Sequence, residues 1–94
     1  MDILNHRLKP HPEAMFSKVG DEAVILHLVN STYYGLDPTG VLIWEGLHGG
    51  TLPQAICEQI ALECDVGLAT VEDDTRLFLE DLLAHELLVN DPIS

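Results

Sequence analysis

Two cysteines, five histidines and sixteen acidic residues are the groups in this 94-residue chain that could do chemistry. A nucleophilic cysteine needs a base beside it, and a zinc centre needs Cys or His at short, characteristic spacings. Cys57 and Cys64 fall on one expected helix, two turns or roughly 10 Å apart, beyond disulfide reach. Both read as small buried hydrophobes. His27 alternates with Ile25 and Val29 in an apolar strand and reads as a structural histidine. His85 falls at the end of an expected helix, where the dipole favours its charged form. His6, His11 and His48 find no partner at a ligand spacing. Gly49-Gly50-Thr51 reads as a helix stop followed by an N-cap, because a chain this acidic is a poor anion cradle. No catalytic group, metal site or cofactor is expected.

What remains is the chemistry of binding. Glu72, Asp73, Asp74, Glu80 and Asp81 crowd one expected helix. At 100° per residue, Asp74, Leu77 and Asp81 share one flank of its core stripe. An apolar residue between two carboxylates suits a groove wall with an apolar floor and negative rims. The same residues also suit a solvated face with Leu77 at the core's margin. Upstream, Thr32-Tyr33-Tyr34 has strand composition, and Asp37-Pro38 is an N-cap followed by a first-turn proline. A strand that stops so sharply against a helix is a candidate sheet edge. An exposed edge carries unpaired N–H and C=O groups and can accept a strand from another chain.

The elements that must position these groups follow from patterning. Residues 14–18 form a short apolar strand and residues 22–29, EAVILHLV, a central one. Residues 32–36 return after Asn30-Ser31, so the three make an antiparallel meander with the third strand as an edge. A helix from about Pro38 to Leu47 stops at Gly49-Gly50. A second starts at Thr51 as N-cap and presents Leu52, Ile56 and Ile60, with Ala55 beside them. A third runs from near Thr70 to about Leu87, with Val71, Thr75, Phe78 and Leu82 on its core stripe and Leu79 widening it. The expected fold is α+β: a three-stranded antiparallel sheet followed by three helices, like a winged helix-turn-helix. The expected organisation is an N-terminal arm at 1–12, loosely held, one domain over 13–90 and a tail at 91–94.

Charge narrows the partners. Sixteen acidic residues against four basic ones give a formal net charge of −12. Nucleic acid and anionic membranes both need basic clusters, and Arg7, Lys9, Lys18 and Arg76 are few and scattered. A basic peptide is the class that such a field steers inward. No apolar run approaches a membrane-spanning length, and no signal peptide is recognisable, so a cytoplasmic protein is expected.

Taken in order, EAVILHL, then TYYGLDPTGVLIWEGL, then GGT opening a helix, then Val71-Glu72-Asp73-Asp74 leading to Phe78-Leu79 and Glu86-Leu87-Leu88, the chain resembles the PqqD-like family. These are precursor-peptide recognition domains of ribosomal peptide modification pathways. Within the family, DPTG followed by GGT looks most like the small leader-binding protein of split lasso-peptide systems. A PqqD-type peptide chaperone of coenzyme PQQ biosynthesis is the alternative, and an acidic winged-helix interaction domain a further one. The resemblance implies a module without catalysis. It would take the leader of a precursor peptide as an added strand between the third strand and the third helix, and present it to a leader peptidase and a cyclase. The site it implies comprises Thr32, Tyr33, Tyr34, Gly35 and Leu36 on the strand, and Asp73, Asp74, Leu77, Phe78 and Asp81 on the helix. Glu86 stands where the family often has glycine, which implies a longer last helix.

Overall fold

The computed structural model describes residues 2–90. The expected tail at 91–94 lies outside the described residues. The element order is β1 (Leu8–Pro10), β2 (Ala14–Val19), β3 (Glu22–His27), β4 (Tyr33–Leu36), α1 (Pro38–His48), α2 (Pro53–Cys64), α3 (Leu68–Ala84) and β5 (Leu88–Asn90). The expected meander is present as an antiparallel sheet of order β2-β3-β4, backed by the three helices. A second, two-stranded sheet pairs β1 with β5, Leu8 opposite Asn90 and Pro10 opposite Leu88.

The second sheet corrects the expectation of a loose N-terminal arm. Leu4 and Leu8 are fully buried, and Ile3 packs against the same core. Asp2 caps a short 3₁₀ turn over Ile3–Asn5 and takes the Arg76 guanidinium in a bidentate pair, with contacts of 3.1 and 2.7 Å. That guanidinium, with the Leu4 N–H, holds the Asp2 carboxyl at about 2, well below the usual aspartate value.

β3 is the central strand, and its Ala23, Ile25 and His27 face the core. It ends at His27, two residues sooner than its composition suggests. The His27 Nδ1 accepts the Val29 and Asn30 N–H groups, which bends residues 28–31 into a loop. Ser31 closes that loop in the left-handed region at φ 62°. Thr32 then gives its N–H to the Asn30 side chain at 2.9 Å, so it lies just before β4 rather than within it.

Asp37 caps α1 by accepting the Gly40 N–H at 2.7 Å, as the Asp-Pro pair predicts. α2 is capped by Leu52, not Thr51, with no side-chain bond. Its buried face is Pro53, Ile56, Cys57 and Ile60, so Cys57 replaces the expected Ala55 and Leu52 lies outside the core. Burial pushes the Cys57 thiol pKa up, whereas Cys64, expected to be buried, is exposed. α1 and α2 approach closely at Gly46, where a Cβ would stand 2.7 Å from Ile56 Cδ1. α3 buries Val71, Thr75, Leu79 and Leu82; Phe78 is half-buried beside them.

Glu86 does not lengthen α3. The helix ends at Ala84, and Glu86 adopts φ 59°. Its N–H donates to the Leu83 carbonyl at 3.0 Å and the Leu87 N–H to the Leu82 carbonyl at 2.9 Å, a Schellman termination. That reversal sends Leu87 and Leu88 into the core and starts β5.

Candidate functional site

The hydrogen-bond parity of β4 decides which of its backbone groups are free. The His27 N–H donates to the Thr32 carbonyl at 2.8 Å, which makes these two a bonded pair. Bonded and non-bonded pairs alternate along an antiparallel ladder. Tyr34 opposite Ile25 and Leu36 opposite Ala23 therefore spend their backbone groups on β3. Tyr33 and Gly35 turn theirs outward. β4 has β3 on one side and no strand on the other among the described residues. The free edge thus offers two donors and two acceptors, from Tyr33 and Gly35.

Side chains alternate the other way. Tyr34 and Leu36 point to the helices, and Leu36 is buried. Tyr34 crosses the gap to α3. Its hydroxyl donates to Asp81 Oδ2 at 2.6 Å. Its ring meets Phe78 edge-on, with centroids 6.1 Å apart, and His85 at 5.7 Å. The Asp81 carboxylate accepting its proton, together with burial and the nearby charges of Asp81 and Asp37, pushes the Tyr34 phenol up to about 12. The His85 Nδ1 donates to the Asp81 carbonyl at 2.7 Å, so the ring is fixed on the same flank. Beside the free edge, the surface that joins β4 to α3 is therefore aromatic, from Tyr34 and Phe78, and acidic, from Asp81.

Phe78 also lines a pocket of ≈ 410 Å³ among the three helices. Ile43, Ile60, Val71 and Phe78 make it apolar; Asp37 and Asp74 carry the charge at its rim. Gly40 lets Phe78 pack closely on α1, because a Cβ there would come within 3.3 Å of Phe78 Cζ.

The structure brings Tyr34, Phe78 and Asp81 into contact, sets Asp74 one pocket away, and leaves Leu77 69% exposed on the same flank of α3. Asp73 is elsewhere. It pairs with Arg76 at 2.9 Å on the flank that faces the N-terminal segment. His85, not among the expected site residues, stands beside Tyr34 and Asp81. Its signal was present: it lies four residues after Asp81 and seven after Phe78, hence on their flank. Among the described residues no group of three His, Cys, Asp or Glu side chains is placed to hold a metal ion, and no helix is long and apolar enough to cross a membrane.

The family model for coenzyme PQQ synthesis protein D (PqqD) matches residues 22–88. Among solved structures the chain is similar to TbiB1 in complex with the TbiA(beta) leader peptide, at 41% identity and a TM-score of 0.80, over 85% of this chain and 93% of that one. It is also similar to lasso peptide synthetase B1 complexed with the leader peptide, with a TM-score of 0.81 over 88% of this chain and 98% of that one. The identity there is 20%, and the likeness speaks for the fold alone. No curated protein matches the chain.

Proposed function

Because this chain belongs to the PqqD family, we propose that it binds the leader segment of a ribosomally made precursor peptide and presents it to the enzymes of lasso-peptide biosynthesis. The observation that carries this reading is the outward-facing backbone of Tyr33 and Gly35 beside the acidic flank of α3. The 41% identity to a leader-bound relative supports it.

The mechanism is strand addition. The leader pairs with β4 and takes two N–H donors and two acceptors in register. Its inward side chains lie on Tyr34 and Phe78, with Leu36 beneath and Leu77 at the outer lip. Asp74 and Asp81 face its basic residues, and Thr32 closes the upstream end of the edge. Asp73 acts only through the long-range field, since Arg76 engages its carboxylate. That field raises the rate of encounter with a basic leader and weakens as salt rises. The recognition unit spans 13–90, strapped by the N-terminal segment. The protein supplies no catalytic group: a leader peptidase and a cyclase, working with it in the cytoplasm, carry the chemistry.

The family model is described by the coenzyme PQQ protein, which keeps that pathway's precursor as a second ligand to test. Calorimetric titration with a lasso leader, the PQQ precursor and a scrambled lasso leader separates the readings. The lasso leader is expected to bind tightest and to protect the Tyr33 and Gly35 amides from hydrogen exchange. Equal binding of the scrambled peptide, or protection that misses β4, would overturn the proposal.

A further inference from the structure

The three-stranded sheet has a second free edge, at β2. Ile25 spends its backbone groups on β4, so its neighbours Val24 and Leu26 turn theirs to β2. The Leu28 N–H donates to the Glu13 carbonyl at 2.9 Å, in the same phase. Met15 and Ser17, opposite Leu26 and Val24, are therefore bonded to β3, and Phe16 and Lys18 turn their backbone groups outward. No strand lies on that side of β2 among the described residues.

A hollow of ≈ 560 Å³ adjoins this strand. Phe16 and Trp44 give it an aromatic lining, their rings stacked with centroids 6.2 Å apart. Lys9, His11 and His48 line it as well, and no carboxylate does. The His11 Nδ1 accepts the Glu13 N–H at 3.0 Å, so the other ring nitrogen bears the proton and is a donor. Two more cations border α1: Arg7 donates to the Gly50 carbonyl at 3.0 Å, and Lys18 reaches Glu45 at 3.7 Å. Three of the four basic residues of a chain of net charge −12 thus lie around α1. The fourth, Arg76, is held by Asp2 and Asp73 on the α3 side.

The two edges of one sheet therefore differ in sign. β4 stands beside Asp81, which repels an acidic strand, whereas β2 stands beside Lys9 and Lys18. A lysine on an edge guards it against pairing with its own kind, and a second copy of β2 would add the same cations to the same hollow. An acidic strand meets no such repulsion. The Lys18–Glu45 pair, long and half-exposed on both sides, yields readily to a partner's carboxylate. We infer that β2 takes an extended acidic segment of a partner protein as an added strand. Phe16 and Trp44 pack its apolar side chains, while Lys9 and Lys18 take its carboxylates. The inference stands on this edge and not on the function proposed above.

The test uses the purified full chain and short blocked peptides in which valine alternates with glutamate or with lysine. At low salt the glutamate peptide is expected to bind about tenfold tighter than the lysine peptide, and to weaken as salt rises. It should protect the Phe16 and Lys18 amides from hydrogen exchange. Lys9→Gln should weaken it about threefold, and Glu45→Gln, which frees Lys18, should tighten it by about the same factor. Lys18→Pro deletes an outward donor and leaves the β3 ladder intact. It should bind the glutamate peptide about 2–13-fold more weakly than Lys18→Ala, with both variants folded. A saturating lasso leader, held at the other edge, should change the glutamate peptide's affinity by no more than about twofold. No binding of that peptide at millimolar concentration, equal binding of the lysine peptide, or protection at Tyr33 and Gly35 instead would overturn the inference. So would protection of Phe16 and Lys18 in a dimer of the free chain, seen by sedimentation, which would make the edge a self-interface. Failure of the chain to bind any leader is read in a separate titration and strikes only the function proposed above.

Discussion

Replacing Tyr33 by proline deletes a backbone donor from the free edge and leaves the β3 ladder intact, because the Tyr33 N–H points away from β3. One backbone hydrogen bond contributes a net of about 0.5–1.5 kcal/mol. Tyr33→Pro should therefore bind the leader about 2–13-fold more weakly than Tyr33→Ala, the control for the lost side chain. Tyr34→Pro removes a different bond, the one given to β3 opposite Ile25. It leaves a buried carbonyl unpaired, at about 1–3 kcal/mol of stability, and also loses the bridge to Asp81. The two prolines thus separate: the first costs binding, the second costs folding. Calorimetric titration gives the affinities, and urea midpoints with circular dichroism give the stabilities. Tyr33→Pro binding as well as Tyr33→Ala, with both folded, would refute strand addition at this edge. A Tyr34→Pro variant of normal stability would refute the parity assigned here.

Leu77→Ala should leave the urea midpoint nearly unchanged, since the side chain is 69% exposed, and should weaken leader binding several-fold. Phe78→Ala removes packing against Tyr34 and the core and should cost roughly 2–4 kcal/mol in the same assay. Glu86→Gly relieves a left-handed residue at φ 59° and should raise stability by about 1 kcal/mol, read as a higher midpoint. The Tyr34 phenol, raised to about 12, stabilises the fold fully below its unfolded value of 10.0, and that contribution is lost as pH climbs through about 12. Ultraviolet titration should show a late-ionising tyrosine, and Asp81→Ala should bring its ionisation to lower pH.

Much of the fold was legible because local chemistry and tertiary packing agree. The run EAVILH is rich in β-branched and apolar residues, and Asp37-Pro38 is a strong local signal for a helix start, which Asp37 fulfils by capping α1. The strap was not legible, because Leu8-Lys9-Pro10 is too short for its alternation to announce a strand and ends in a proline. It is a strand only because Leu88–Asn90 lies opposite. The face of α2 turned toward Cys57 instead of Ala55 because that helix must meet α1, α3 and the N-terminal turn together, and periodicity alone does not fix a rotation. Glu86 misled for a related reason: a good helix former sits where the Schellman bonds and the burial of Leu87 and Leu88 demand a reversal. At the candidate site, helical spacing placed Asp74, Leu77 and Asp81 on one flank and Phe78 on the core stripe, and only the resemblance joined Phe78 to them. Spacing could not find that Arg76 takes Asp73 away, since Arg76 is anchored by Asp2 at the other end of the chain.

The β1–β5 pair has a consequence for the order in which the molecule assembles. It joins Leu8 to Asn90, closing nearly the whole chain into a loop, whereas the hairpin between β3 and β4 closes over a few residues. Loop-closure entropy, growing as 1.5RT ln n, charges about 4 kcal/mol for the first against about 1 kcal/mol for the second. The strap is therefore the contact that rewards the chain last, after the meander and helices are in place. Weakening it, as Leu8→Ala or Leu88→Ala would, should leave the refolding rate almost untouched and speed unfolding. The strap thus governs the lifetime of the native state rather than the speed of reaching it. How long the edge of β4 stays available to a peptide is then set by a pairing in which β4 takes no part, Leu8–Pro10 with Leu88–Asn90.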